Sequence, residues 1–337
     1  GFDYKQKAHI AGMNTSLYMG GTYHDVNLST ISGRDIELRY ESLRSQFFKR
    51  GCCLYTALVC VLCRMQPLSQ DNVARRSAVL ERYDDNYMDM WRTDKYTAPD
   101  NPLPDTFAGV TNFLHIMDTL INSRPGFRYE GCANGGHFKG LALARRLTFT
   151  TTNDAAPNVT MYRQTHWINT HVHNPLQLKC DTAFWDPAAH SLEFFLRSCF
   201  LGSWLVCPPD SINSTHNQVY SEHIALYKTK QRPILRGGNQ YHILPFPDGQ
   251  NYDGMQYYND DLGRGSVLLF KPSSGAPDNV TVYLHGLHRQ SHYQLRHQER
   301  TQLDKVVTGS TLMDYGLTVS GMTGVEASEI IWIDAQG

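Results

Sequence analysis

The chain has 337 residues, of which 41% are hydrophobic and 19% charged, with 31 Lys plus Arg against 32 Asp plus Glu. A net charge of -1 lacks the basic excess of a general nucleic-acid binder, and the composition is not that of a disordered acidic chain. The length supplies ample core for one large or two smaller domains, while the longest apolar run, Leu54 to Cys63, falls well short of the roughly 20 residues of a membrane span.

The first fifty residues are polar and without period, and the start, Gly1-Phe2-Asp3-Tyr4-Lys5, has no signal-peptide pattern, which suits a mature or truncated form. From residue 54 a pattern emerges. Leu54 to Leu62 reads as a buried strand, Asp71 to Tyr83 as a helix and Tyr87 to Thr93 as a strand. Phe107, Val110, Leu114, Met117 and Ile121 recur at helical spacing, and Pro125-Gly126 breaks the run. Phe127 to Cys132 and Leu147 to Thr152 read as strands, Met161 to His171 as a helix and Leu176 to Cys180 as a strand. A helix through Leu192, Phe195, Leu196 and Cys199 follows, then a strand from Ser203 to Cys207. Such alternation predicts βα units on a parallel sheet, open or closed into a barrel. After about residue 230 short strand-like runs dominate: Ser266–Lys271, Thr281–Leu284, Tyr293–His297, Leu317–Val319 and Ile330–Ile333. The expected organisation is a (β/α) barrel-type domain over 1–229 and an antiparallel β-sandwich over 230–337.

Eight cysteines are ordinary for this length, so disulfides are not required to hold the core, and their pairing is not readable from the sequence. Cys60-Val61-Leu62-Cys63 lies inside an apolar run without a second pair suited to zinc. Five N-x-Ser/Thr sequons, at Asn14, Asn27, Asn158, Asn213 and Asn279, point weakly to a secreted or extracellular glycoprotein. His166, His171 and His173 read as surface or hydrogen-bonded helix residues rather than metal ligands. His285, His288, His292 and His297 read as surface residues, and Lys228, Lys230, Arg232 and Arg236 as a solvated connection between domains.

In a parallel barrel the chemistry sits at the carboxyl ends of the strands. One strand runs through Trp91-Arg92-Thr93 into Asp94, with Arg92 on the same side of the strand as Asp94. A guanidinium there would keep Asp94 ionised, as a carboxylate nucleophile requires. A second strand runs through Thr151-Thr152-Asn153 into Asp154. Repulsion from Asp94 across a shared mouth would raise the Asp154 pKa, as a general acid requires. Taken singly, a strand-end aspartate is more often a solvated loop residue or a helix cap. Between them a strand enters Cys132-Ala133-Asn134-Gly135-Gly136, where glycines allow close backbone approach to a ligand or simply make a turn. Asp186 and Asp210, after later strands, are candidates for the rim or for helix caps.

This ordered set resembles the melibiase-type α-galactosidases (glycoside hydrolase family 36) and their raffinose-synthase relatives. The motifs that carry the resemblance are Trp91-Arg92-Thr93-Asp94, Glu130-Gly131-Cys132-Ala133-Asn134-Gly135-Gly136 and Thr151-Thr152-Asn153-Asp154. Gly265–Phe270 and Thr308–Leu317 look like the family's carboxyl-terminal β-sandwich. The resemblance covers roughly residues 65–337 and implies a (β/α)8 TIM-type barrel, incomplete at its first strands, followed by that sandwich. It also implies retaining hydrolysis of terminal α-galactosyl-type residues, with Asp94 as nucleophile and Asp154 as acid/base. Arg92, Trp91, Cys132, Gly135 and Gly136 would line the sugar pocket of an oligosaccharide or glycan substrate, with no metal or organic cofactor. The sequence departs from the family in lacking the first-strand Asp-Asp-Gly-Trp motif and in carrying Tyr96 where an Asn is often found. Two further expectations follow: a catalytically degenerate carbohydrate-binding or structural glycoprotein on the same scaffold, and a homo-oligomer or a partner segment completing the pocket.

Overall fold

The computed structural model describes residues 16–17, 55–56, 90–93, 114–115, 117–119, 121–122, 126–132, 139–152, 158–181, 185–206 and 212–336. Tertiary contacts divide the chain into two compact units, Gly1–Thr150 and Thr151–Gly337.

The first unit contains parallel strands β1 (Ser16–Leu17), β2 (Tyr55–Thr56), β3 (Met90–Thr93), β4 (Arg128–Gly131) and the start of β5 (Phe149–Thr151). Ser16 pairs with Tyr55, Leu17 with Trp91, Thr93 with Gly131 and Gly131 with Thr150, all in parallel. Parallel neighbours need crossover connections. Helical residues 114–115, 117–119 and 121–122 lie in the β3–β4 connection, and α1 (Leu141–Ala144) lies in the β4–β5 connection. Met117 on the first helix is fully buried, as its apolar spacing predicts. The Arg146 guanidinium grips both oxygens of Asp118 at 2.6 Å, tying the end of one crossover to the other.

In the second unit, α2 (Val159–Asn169) precedes β6 (Leu178–Asp181), and α3 (Leu192–Ser198) with a 3-10 turn, Cys199–Leu201, precedes β7 (Ser203–Leu205). The strands β6 and β7 pair in parallel, Cys180 opposite Trp204. The sequence signs the helix starts: Asn158 accepts from Met161 N at 2.9 Å, and Ser191 accepts from Phe194 N at 3.4 Å. Gly202 is needed for close approach, because a Cβ there would lie 2.3 Å from the Leu178 carbonyl oxygen and 2.6 Å from that of Pro175. A disulfide joins Cys180 on β6 to Cys199 after α3, both buried.

After β7 comes α4 (Ser214–Leu226), a π-helical stretch over Tyr227–Gln231, and α5 (Arg232–Leu235). Pro233 has no N–H for an α-helical ladder, and the wide turn directly before it accommodates that loss. The stretch from Lys228 to Arg236, expected as a connection between domains, is therefore helical through Leu235, with Gln231, Ile234 and Leu235 buried.

From residue 239 the chain is mostly β. Strands β8 (Asn239–Tyr241), β9 (Asp253–Asn259), β10 (Arg264–Lys271), β12 (His292–His297), β13 (Lys305–Thr308) and β15 (Ala327–Gln336) form a six-stranded sheet. Its order is β13-β12-β15-β10-β9-β8, antiparallel at each pairing. A second, two-stranded sheet joins β11 (Asn279–Val282) to β14 (Leu317–Ser320), and a short α6 (Gly309–Asp314) precedes β14.

Both faces of the large sheet are covered. Met255, Tyr257, Leu268, Phe270, Ile330 and Trp332 pack with Phe194, Phe200, Tyr227 and Leu235 from the helices. The alternate residues Tyr258, Val267, Leu269, Ile331 and Ile333 pack with Val282, Leu284, Leu317 and Val319 of the small sheet region. Fully burying each such side chain contributes about 1.5–3 kcal/mol, so the helices and the sheet form one continuous core. The sandwich expected after residue 230 thus has a small sheet on one side and helices on the other. His297, expected at the surface, is buried: it alternates with outward-facing Arg296 and lies with Nδ1 3.3 Å from Asp304 Oδ1.

Candidate active site

The backbone of β3 is an extended strand ending at Thr93, so Asp94 follows the carboxyl end of a parallel strand. Asp94 lies outside the described residues. The register sets Trp91 beside Tyr129 and Arg92 beside Glu130. Tyr129, Glu130 and Cys132 at the end of β4 are each fully buried. Gly135 and Gly136 lie outside the described residues.

Beyond β5, Thr152 is held firmly. Its N–H donates to Lys179 O at 3.2 Å and its hydroxyl to the same oxygen at 2.7 Å. Burial pushes the Tyr162 phenol upward while a hydrogen bond with Thr152 opposes the shift. Asn153 and Asp154, outside the described residues, lie between this anchored threonine and the Asn158 cap of α2.

Among the other sequence candidates, Asp186 is exposed and its Oδ1 accepts from Ala188 N at 2.9 Å, within a turn rather than at a helix start. Trp185 is buried and donates to His190 O at 3.0 Å. Asp210 lies outside the described residues, as do Asn14, Asn27, Cys60 and Cys63. Asn158 and Asn213 are exposed helix caps that use Oδ1 for the cap, not the Nδ2 to which a glycan would be attached. Asn279 is exposed at the start of β11. Among the described residues no three His, Cys, Asp or Glu side chains converge as a metal site, and no helix is long and apolar enough to cross a membrane.

Three arrangements in the second unit, two buried and one half-buried, have no local sequence signal. Arg163 on α2 forms a bidentate pair with Asp253 on β9, at 2.7 and 3.1 Å, with Ser198 Oγ at 3.0 Å. His166 places Nε2 3.3 Å from Tyr257 Oη, whose proton goes to Leu201 O at 2.8 Å. The imidazole is therefore the neutral Nε2–H form, and its buried Nδ1 has no partner among the described residues. Burial, aided by nearby His242, pushes its pKa down to about 3. Finally, Glu326 bonds the His190 ring and accepts from Ser191 N at 2.8 Å, from a backbone with φ +58°. Their partners lie 90, 91 and 136 positions away in sequence, beyond the reach of any periodicity.

No protein-family model matches the chain, and no curated protein is similar in sequence. Solved structures are similar in fold. The GH36 α-galactosidase AgaB from Geobacillus stearothermophilus superimposes with a TM-score of 0.72 at 15% identity, over 99% of this chain and 52% of that one. The α-galactosidase from Lactobacillus brevis gives 0.69 at 16% identity, over 100% of this chain and 46% of that one. A variant of AgaA from Geobacillus stearothermophilus in complex with raffinose gives 0.64 at 15% identity, over 80% and 38%. The chain has a GH36-like fold, combining parallel and antiparallel sheets, and spans between 38% and 52% of the length of these enzymes.

Proposed function

We propose that the chain is an α-galactosidase-like glycoside hydrolase acting with retention, on a barrel-type domain over 1–229 and a β-sandwich over 230–337. The observation that carries the reading is a TM-score of 0.72 over 99% of the chain, from a sequence whose ordered motifs fall at the ends of β3, β4 and β5. In this mechanism Asp94 attacks the anomeric carbon, the glycosidic bond breaks, and Asp154 delivers its proton to the departing oxygen. A water then loses a proton to Asp154 and displaces Asp94, restoring both carboxyls. Double displacement requires the two carboxyl groups about 5–5.5 Å apart, against about 6.5–9.5 Å for inversion. Arg92 would keep Asp94 ionised, and Trp91, Cys132, Gly135 and Gly136 would line the sugar pocket. The buried Cys180–Cys199 bond and the exposed sequons at Asn158, Asn213 and Asn279 support an oxidising, secretory route.

One observation favours a second reading, a catalytically degenerate carbohydrate-binding scaffold: the sequence has no Asp-Asp-Gly-Trp motif to bind sugar hydroxyls. Turnover of a nitrophenyl α-galactoside by the chain and by Asp94→Asn separates the two. The catalytic reading expects a loss on the order of a thousandfold or more in kcat. Activity unaffected by the substitution removes Asp94 from its role, and a parent chain that binds sugar without turnover establishes the scaffold reading.

A further inference from the structure

The outer face of the two-stranded sheet has a composition unlike an ordinary charged surface. Strand alternation turns Val280, Val282 and Leu284 toward the core and Asn279, Thr281 and Tyr283 outward. Opposite them, Ser320 pairs with Asn279 and Thr318 with Thr281, also outward. Tyr283 is 51% exposed, and Tyr315, just before β14, is 79% exposed. The row therefore consists of amide, hydroxyl and phenol groups. The acids that flank it in sequence are already neutralised: Asp278 pairs with Lys271 at 2.7 Å, and Asp314 with Arg289.

Two details make this row more than a solvated strand. The Thr281 and Thr318 hydroxyls bond each other at 2.8 Å. Two hydroxyls offer two donors and four lone pairs, so this bond leaves one donor and three acceptor sites available from a fixed pair. Gly316, at φ +81°, lies against Tyr283; a Cβ there would sit 2.9 Å from Thr281 Cγ2 and 3.4 Å from the Tyr283 ring. The absence of a side chain keeps the flank of that ring open. Along the strand, ring, hydroxyl pair and amide follow at intervals of roughly 7 Å.

We propose that this face binds a neutral oligosaccharide chain, apart from the candidate active site. A pyranose ring presents an apolar C–H face, which Tyr283 meets, and a rim of hydroxyls, which Thr281, Thr318, Ser320 and Asn279 meet without any formal charge to desolvate. The row itself carries no formal charge, and the flanking Asp278 and Asp314 are each already paired with a cation.

The test uses the full chain produced in bacteria, so that Asn279 carries no glycan. It is run through native gels containing galactomannan, a neutral mixed-linkage glucan or anionic polygalacturonate. Retardation by at least one neutral polymer is expected, weakened about fivefold by Tyr283→Ala and by Thr318→Lys, with nitrophenyl-galactoside turnover unchanged. Both changes are at exposed positions, and circular dichroism checks that the fold is kept. Migration unaffected by either neutral polymer, retardation by polygalacturonate alone, or retardation that survives both substitutions overturns the proposal. So does a change of oligomeric state with Thr318→Lys, which would make the face a contact between copies of the chain. Because the readout is binding, loss of retardation in a chain without turnover supports this site while the catalytic reading fails.

Discussion

Removing the Asp253 carboxylate should be among the most damaging single changes in the second unit. Asp253 and Arg163 are each only 1% exposed, and their bidentate contact joins β9 to α2. The guanidinium also meets Ser198 Oγ at 3.0 Å and lies 4.6 Å from the centre of the Phe270 ring and 5.0 Å from that of Phe194. Asp253→Ala leaves that cation buried among two rings and the Ser198 and Thr160 hydroxyls, without its carboxylate partner. Breaking a buried pair from one side costs about 3–5 kcal/mol, a large part of the roughly 5–15 kcal/mol that stabilises a domain. For a unit of this size each kcal/mol moves Tm by about 2–4 °C, so a fall of about 10 °C is expected. Urea unfolding should show a lower midpoint with an unchanged slope, since the core area exposed is the same. Replacing both partners, Arg163→Met with Asp253→Leu, removes the orphaned charge and should recover most of the loss. A loss below about 1 kcal/mol in Asp253→Ala, or a double variant no better than the single one, would refute the view that an uncompensated buried charge drives the effect.

Two further predictions concern pH. His166 has its pKa pushed down to about 3 by burial, against an ordinary value of 6.5, so the unfolded chain takes up a proton that the folded chain refuses. Stability should therefore fall as pH drops from about 6.5 toward 3, by about 2 kcal/mol at pH 5 from this group, and His166→Phe should flatten that slope in urea titrations at pH 7.5 and 5. His242, pushed down to about 4 by burial and by His171, adds to the same window and leaves a residual slope in the variant. Glu326 has the opposite charge logic: burial favours its neutral form, but the bonds from His190 and Ser191 N outweigh it and hold its pKa below the ordinary glutamate value of 4.5. Its folded value is depressed, so its contribution is present above pH 4.5 and is lost as pH falls through the folded value. Glu326→Gln should weaken the chain at pH 7 and converge with the parent in strong acid, and equal differences at both extremes would count against the ionic part of this contact.

The sheet strands that could be read from the sequence are those whose chemistry is local. Val267, Leu268, Leu269 and Phe270 are β-formers in an unbroken run, and the run appears as β10. The neighbouring β9 carries Asp253, Gly254, Gln256 and Asn259, letters that read as a loop, yet every residue of it is buried. Its polar groups are paid for at a distance: Gln256 bonds both N–H and C=O of His285, at 2.8 and 2.7 Å, and Asp253 bonds Arg163. Buried polar groups need partners, but nothing in a one-dimensional pattern says where the partners are.

The missed helix α4 has a different cause. Val219, Tyr220, His223, Leu226 and Tyr227 do fall at helical spacing, but the stripe is made partly of aromatic and imidazole side chains in a sequence otherwise rich in Ser, His, Asn and Gln. Tyr220, His223 and Tyr227 are buried all the same, and Tyr227 spends its hydroxyl on Gly202 O at 2.7 Å. A period weighted by apolarity alone discounts side chains that are apolar over most of their surface and polar only at the tip. The strands that carry the proposed motifs were legible for the reason that β10 was. The motifs sit where short strands end, at Thr93, Gly131 and Thr151, and strand ends are set by alternation and by the turn residues that follow. The long-range contacts of the second unit were not legible, because Thr152 to Lys179, His166 to Tyr257 and Glu326 to His190 each join segments whose proximity is a property of the folded chain.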